Sequence, residues 1–129
     1  MTNDPKSRKA IPIATGVLDY FPDGLAAVAE CSRAGNDQHN PGQLLHWDRS
    51  KSGDESDALI RHFLERGTFD SDGIRHSAKV AWRALALLQK EIEASRKTDL
   101  ELLSAQPAPG PVVAVTPTTP IPVLEELDE

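Results

Sequence analysis

The chain is poor in cysteine, in aromatic side chains and in long apolar runs. Its single cysteine, Cys31, excludes an internal disulfide framework and suits a reducing compartment. No apolar run approaches the ~20 residues that a membrane-spanning helix requires, and residues 1–9 are polar with no apolar segment of a secretion signal after them. We therefore expect no membrane association and a cytoplasmic location.

A surplus of positive charge is also absent. The formal net charge is −6, and most of it lies late in the chain: residues 1–96 carry 13 Lys and Arg against 14 Asp and Glu, whereas residues 97–129 carry one Lys and six acids. A domain that binds a nucleic-acid backbone needs clustered positive charge, so we expect no stable nucleic-acid binding. Only 5% of the residues are aromatic. A core built on Ala and Leu would be thin, and oligomerisation would bury more apolar surface.

The order of apolar and helix-breaking residues predicts an all-α fold with three main helices, over about residues 23–34, 54–66 and 72–96. We expect Gly35 to end the first helix, as glycine often does. The predicted organisation is a disordered leader over residues 1–9, a helical domain over residues 10–96 and an acidic, flexible tail over residues 97–129. Six of the ten prolines lie between Pro107 and Pro122, which excludes regular helix and paired strand there.

Carboxylates concentrate around the second predicted helix and the turn after it. Mg²⁺ or Mn²⁺ beside a polyphosphate needs two to four carboxylate oxygens on rigid elements. Asp54 and Asp57 are spaced i, i+3 on one helical face, and Glu30 reaches them if the first two helices pack antiparallel. The predicted metal ligands are Glu30, Asp54, Asp57, Asp70 and Asp72. Taken singly, each acid fits a surface or capping role as well, and Asp54 and Glu55 complement the dipole at a helix start.

A basic stripe follows these acids on the third predicted helix. Lys79 and Arg83 lie one helical turn apart and are positioned to meet phosphate oxygens, although a solvated helix face would carry the same residues. His62 and His76 could serve as ligands, as bases or as structural histidines. The chain has no Cys pair, no His-Glu-x-x-His motif, no glycine-rich phosphate loop and no Gly-x-Ser-x-Gly motif.

Residues 11–93 carry a set of short motifs that together resemble a known family. They are Gly35-Asn36, His39-Asn40-Pro41-Gly42, His46-Trp47, Asp54-Glu55-Ser56-Asp57-Ala58-Leu59-Ile60-Arg61-His62, Asp70, Asp72-Gly73, and His76-Ser77-Ala78-Lys79 with Ala81-Trp82 after it. This block resembles the small phage-encoded dATP/dGTP diphosphohydrolases (MazZ-like), relatives of the all-α MazG-like nucleotide pyrophosphohydrolases.

The chain departs from the wider MazG-like pattern at two positions. That group places Glu-x-x-Glu on one helix and Glu-x-x-Asp on the next. Here Ala27-x-x-Glu30 and Asp54-x-x-Asp57 stand 23 residues apart. Ala27 lacks one carboxylate and Asp54 replaces a Glu. This departure leaves the number of metal ions open. Asp70 or Asp72 would then supply the carboxylate ligand that is missing at Ala27.

The resemblance implies hydrolysis of dGTP, dATP or both to the monophosphate and pyrophosphate, which would adjust the nucleotide pool in the host cytoplasm. It also implies two or more Mg²⁺ or Mn²⁺ ions and a dimer or dimer of dimers. The catalytic candidates are Glu55, Asp57, His76 and Lys79. The substrate-binding candidates are Asn36, His39, Asn40, Trp47, Lys79 and Arg83, the first four as readers of the base. A non-catalytic helical nucleotide-binding module and a phage oligomerisation module remain alternatives.

Overall fold

A computed structural model describes residues 4–105, which form four α-helices and no β-strand. The helices are α1 (Pro5–Lys9), α2 (Pro22–His39), α3 (Glu55–Leu64) and α4 (His76–Ala105). A π-helical turn at Ala14–Leu18 and a 3₁₀ turn at Arg49–Lys51 lie in the connections. The predicted all-α class is confirmed for the described part of the chain. The proline-rich part of the predicted tail, from residue 106 on, lies outside the described residues.

Within the predicted disordered leader, the described residues 5–9 form the short helix α1. Asp4 caps this helix: its carboxylate accepts hydrogen bonds from the Ser7 backbone N–H at 3.0 Å and from the Ser7 hydroxyl at 2.8 Å. Pro5 occupies the first helical turn, where its missing N–H is no loss. The helix therefore follows from a capping pattern that composition alone does not reveal.

Helix α2 does not end at Gly35 as predicted, but continues to His39. The stop comes from Asn40, Pro41 and Gly42. A residue before proline is disfavoured in the helical region, and Gly42 takes a left-handed backbone with φ +78°. Asn40 still donates its backbone N–H to the Asn36 carbonyl at 2.7 Å. Gly35 lies inside the helix, where glycine weakens a helix without breaking it.

Helix α4 begins later and ends later than predicted. Asp70 to Ile74 form a tight turn in which Gly73 has φ +80°, so the chain becomes helical only at His76. At the other end, no proline or glycine occurs between His76 and Ala105, and α4 runs nine residues past the predicted end at Arg96. The start of the predicted flexible tail, residues 97–105, is therefore helical.

Two compact units divide the chain, the first ending at Ser95 and the second beginning at Arg96. The buried apolar residues of the first unit are Ala58, Ile74, Ala78 and Ala86. Among the described residues no large side chain is fully buried, so the core of a single chain is as thin as the composition predicts. No helix within residues 4–105 is both long enough and apolar enough to cross a lipid bilayer.

Candidate functional site

A cavity of about 180 Å³ lies in the first unit, between the C-terminal half of α2, the loop that follows it and the first turns of α4. All six residues predicted to bind substrate line it: Asn36, His39, Asn40, Trp47, Lys79 and Arg83. Of the five predicted metal ligands, Asp72 lines it and the other four do not. The structure therefore brings the predicted substrate-binding residues together and leaves most of the predicted metal ligands elsewhere.

Asn36 and Asn40 hold the loop that forms one wall of the cavity. Both side chains are buried. The Asn36 amide donates to the Gln43 carbonyl at 3.1 Å, and its oxygen accepts the His46 backbone N–H at 3.4 Å. The Asn40 side-chain oxygen accepts from the Lys51 ammonium at 3.3 Å. These amides shape the wall, so their role is in part structural.

Trp47 and Trp82 form the aromatic part of the lining. Their ring centroids are 5.7 Å apart in an edge-to-face arrangement, which is a favourable geometry for two aromatic rings. The Arg49 guanidinium lies 4.3 Å from the Trp47 ring centroid. The buried indole Nε1 of Trp47 has no hydrogen-bond partner among residues 4–105. A buried N–H without a partner is costly, so this donor is suited to an acceptor on a ligand.

Lys79 lies between two carboxylates. Its ammonium donates to Asp70 Oδ2 at 2.6 Å and to Asp72 Oδ2 at 2.7 Å, and only 17% of its side chain is exposed. The hydrogen bond from Lys79 lowers the pKa of Asp70 to about 2, and it also lowers the pKa of Asp72. Burial works against the charged ammonium, but the two carboxylate hydrogen bonds outweigh it and raise the pKa of Lys79. All three groups are therefore ionised at neutral pH.

Arg83 borders the cavity one turn further along α4. Its guanidinium is 3.6 Å from Asp54 Oδ1, and it lies 5.5 Å from the Trp82 ring centroid. Asp54 also accepts a hydrogen bond from Arg61 at 3.1 Å, and this bond lowers the pKa of Asp54. A carboxylate between two guanidinium groups is already neutralised. Asp54 is at the start of α3, but its side chain makes no capping hydrogen bond there.

Glu55, a catalytic candidate, is buried at 5% exposure and does not line the cavity. Its carboxylate accepts hydrogen bonds from the Ser52 hydroxyl and from the Lys90 ammonium, and Lys90 also donates to the Ser52 carbonyl. Burial raises the pKa of Glu55, but these hydrogen bonds outweigh it and hold the pKa below its usual value. The arrangement ties the start of α3 to α4, which is a structural role.

The rings of His62 and His76 are tilted by 33° with their centroids 5.1 Å apart, and their Nδ1 atoms are 2.9 Å apart. Together with Asp70 they form the one group of three or more metal-ligating side chains within residues 4–105, each offering an atom within 4.8 Å of the others. The Glu65 carboxylate is 3.7 Å from His76 Nε2 on the far side of that ring. Burial, followed by the nearby Lys79 charge, lowers the pKa of His62, so its imidazole is neutral at pH 7.

Glu30 and Asp57 are exposed, on α2 and in the first turn of α3. Neither makes a hydrogen bond or ion pair with another side chain of the described segment. With Asp54 held by arginines and Asp70 and Asp72 held by Lys79, the five predicted metal ligands do not form one carboxylate cluster.

Ten cavity residues are missing from the predicted site, among them Lys51, His62 and Trp82. Trp82 is three positions after Lys79 on α4, so helical spacing alone places it beside a residue that was chosen. The sequence leaves His62 open as a ligand, a base or a structural histidine, and does not predict that it lines the cavity. Lys51 belongs to the same loop as His46 and Trp47, but no local pattern distinguishes a lining lysine from a solvated one.

Comparisons of the chain with protein-family models, with curated proteins and with solved structures find no match. The family resemblance therefore stays a prediction.

Proposed function

We propose that this chain is a hydrolase that converts purine deoxynucleoside triphosphates to the monophosphate and pyrophosphate, with the cavity beside Trp47 and Lys79 as its substrate site. The observation that carries the proposal is that six residues, chosen from the sequence for contact with a nucleotide, all line a single cavity. Asn36, His39, Asn40 and Trp47 lie close along the chain, whereas Lys79 and Arg83 belong to α4. The convergence of these two groups therefore depends on the fold.

The size of the cavity suits one end of a nucleotide. A volume of about 180 Å³ is below the roughly 300–1,000 Å³ of pockets that enclose drug-sized ligands. A purine base fits such a space, while the triphosphate would extend along the basic rim. Trp47 and Trp82 supply aromatic faces and edges, and the Trp47 Nε1–H supplies an unpaired donor.

The phosphate end is assigned to Lys79 and Arg83. Both line the cavity, and each is already within 4 Å of a carboxylate. A phosphate oxygen would share these cations with the acids. Phosphate binding to such neutralised cations is weaker than to free ones, because the incoming charge meets carboxylates as well as ammonium or guanidinium groups.

The expected Mg²⁺ or Mn²⁺ does not fit the acids that were predicted to hold it. Those ions prefer convergent carboxylate oxygens, and the predicted ligands are dispersed or bound to cations. A divalent ion would supply charge neutralisation and water activation in such a hydrolysis. The requirement for Mg²⁺ or Mn²⁺ stays a prediction.

We also propose that the active form is a homo-oligomer, a dimer or a dimer of dimers. Leu85, Leu88 and Ile92 follow one stripe of α4 and are 52%, 51% and 40% exposed in the single chain. Ile60 and Phe63 of α3 are exposed as well. A second copy covering such surfaces would supply the apolar burial that a core of alanines lacks.

A second candidate function is a non-catalytic nucleotide-binding module. The pairing of Asp54 with Arg61 and Arg83, and of Asp70 and Asp72 with Lys79, favours it. Acids that balance cations stabilise a binding cavity without holding a catalytic ion.

One experiment separates the two candidates. Purified protein is incubated with dGTP, dATP, dCTP and dTTP, each with Mg²⁺ or Mn²⁺, and pyrophosphate release is measured beside direct nucleotide binding. A hydrolase releases pyrophosphate from the purine substrates. A binding module binds purine nucleotides without release. If Trp47→Ala binds and turns over every nucleotide as the unchanged protein does, the cavity is not the substrate site.

A further inference from the structure

We propose that His62, Asp70 and His76 form a binding site for one divalent transition-metal ion of the Zn²⁺ and Co²⁺ class. The site shares Asp70 with the ligands predicted for Mg²⁺, but its two histidines are not among those ligands. The inference does not rest on the proposed hydrolase activity, because metal binding is measured without nucleotide.

The donor set determines the class of ion. Two imidazole nitrogens and one carboxylate oxygen all lie within 4.8 Å of one another. Imidazole ligands favour Zn²⁺, Co²⁺ and their neighbours over Mg²⁺, which prefers oxygen ligands alone. With three protein ligands, a fourth position remains for water or a ligand.

The two Nδ1 atoms lie slightly closer together than a shared tetrahedral ion requires. Metal–nitrogen bonds of ~2.1 Å and a 2.9 Å distance between the two Nδ1 atoms correspond to an angle at the metal of roughly 90°. A tetrahedral ion would open this angle to about 109° and move the two atoms apart by about 0.5 Å. In the metal-free chain, the same 2.9 Å is a hydrogen bond in which one Nδ1–H donates to the other Nδ1. An ion replaces that proton, and both rings then carry their proton on Nε2.

The surroundings of His76 favour this tautomer. Glu65 Oε2 is 3.7 Å from His76 Nε2 and places negative charge on the side of the ring away from His62. A carboxylate behind a ligating histidine orients the ring and favours the proton on the outer nitrogen. His76 is buried, whereas His62 lines the cavity, so an ion can enter from the cavity side.

Lys79 is the competitor for this site. Its ammonium binds Asp70 Oδ2 at 2.6 Å and already supplies a positive charge to that carboxylate. A metal ion must displace the ammonium from Asp70 or share the carboxylate with it. Removing the ammonium should therefore tighten metal binding, a result opposite in direction to the loss of any ligand.

The test is calorimetric titration of Zn²⁺ into the chelator-treated full chain, with the visible absorption of bound Co²⁺ as a second readout. We expect one ion per chain. His62→Ala and Asp70→Asn should weaken binding by at least the ~10–100-fold that loss of an outer-shell partner costs. The matched control is His39→Ala, which removes an exposed imidazole outside the cluster and should leave the affinity unchanged. Lys79→Met should strengthen binding by about tenfold, and circular dichroism should show unchanged helix content in every variant.

His62 is used in place of buried His76, whose loss could unfold the chain. The proposal is overturned if the unchanged protein binds no Zn²⁺, if His62→Ala binds it as tightly as the unchanged protein, or if His39→Ala loses it equally. A folded Lys79→Met variant that binds Zn²⁺ more weakly would also overturn the proposal, because the lysine would then favour metal binding instead of competing with it.

Discussion

Replacing Lys79 with Met should lower the free energy of unfolding at neutral pH. The difference between the variant and the wild-type protein should become smaller in acid. The ammonium holds Asp70 and Asp72 at 2.6 and 2.7 Å, at the turn that precedes α4. Methionine keeps the aliphatic length of the side chain and removes the charge. The two carboxylates then lie next to each other without a cation, so the variant loses attraction and gains repulsion.

The magnitude follows from the pKa of Asp70, which falls from 3.8 to about 2. A shift of that size corresponds to about 2.4 kcal/mol if it is taken in full. Part of this shift comes from the hydrogen bond that the Ser71 backbone N–H donates to Asp70, and that part survives the substitution. Asp70 is also 30% exposed, so screening by water and the Ser71 contribution together reduce the effect of Lys79 to about 1–2 kcal/mol. For a domain of this size, that loss lowers the melting temperature by roughly 4–16 °C.

The sign of the pH dependence is set by the direction of the shift. A carboxyl whose pKa is lowered by folding contributes stability that is fully present above its unfolded value of 3.8. This contribution is lost as the pH falls towards 2. By pH 3 the stability difference between the unchanged chain and Lys79→Met should fall to about half its value at pH 7.

Urea unfolding at pH 7, 5, 4 and 3, at one protein concentration, measures this difference. The control is Arg33→Met, which breaks an exposed i, i+4 pair with Asp37 and should cost under about 0.5 kcal/mol. A double-mutant cycle with Asp70→Asn should return a coupling of about 1–2 kcal/mol. A Lys79→Met cost below about 0.5 kcal/mol at pH 7, or a cost that is the same at pH 7 and pH 3, would refute the reasoning.

Three further predictions concern function and assembly. Trp47→Ala should change the preference among the four dNTPs. Lys79→Ala should lower the turnover of all four alike, because a phosphate contact does not depend on the base. Steady-state kinetics on the four dNTPs distinguishes the two outcomes. The sequence alone predicts that Asp57→Asn abolishes turnover, but its exposed position away from the cavity predicts that more than about a tenth of the rate remains. Introducing Leu85→Glu with Leu88→Glu should convert an oligomer to monomers with unchanged helix content, as measured by light scattering after gel filtration.

The helical class was predictable because it depends on local signals, and the same is true of the proximity of the four residues expected to contact the base. Asn36, His39, Asn40 and Trp47 lie close along the chain around a proline-glycine stop. Any fold that packs this loop against a helix gathers several of them at one place. The predicted end of α2 at Gly35 is wrong because a single glycine is a weaker helix stop than the Asn40-Pro41-Gly42 sequence, which begins five residues later.

The roles of the acids were not predictable from the sequence. A carboxylate that binds a metal and one that binds an ammonium have the same residue type and often the same spacing. Asp70 and Asp72 precede Lys79 by nine and seven residues, and only the turn at Gly73 brings the three groups together. Glu55 likewise pairs with Lys90, 35 residues away, through the packing of α3 on α4. Distances of this kind arise from tertiary structure.

Asp70 contacts both the cavity wall and the His62–His76 pair. One of its carboxylate oxygens binds Lys79, which lines the cavity, and the same side chain completes the group with His62 and His76. An ion bound to the histidine pair would also bind the Asp70 carboxylate, whose negative charge now neutralises Lys79. The ammonium would then be held by Asp72 alone, and its positive charge would be less compensated at the cavity wall. Binding of a cation at the histidines and of an anion at the cavity should therefore reinforce each other, and thermodynamic linkage requires the same coupling in both directions.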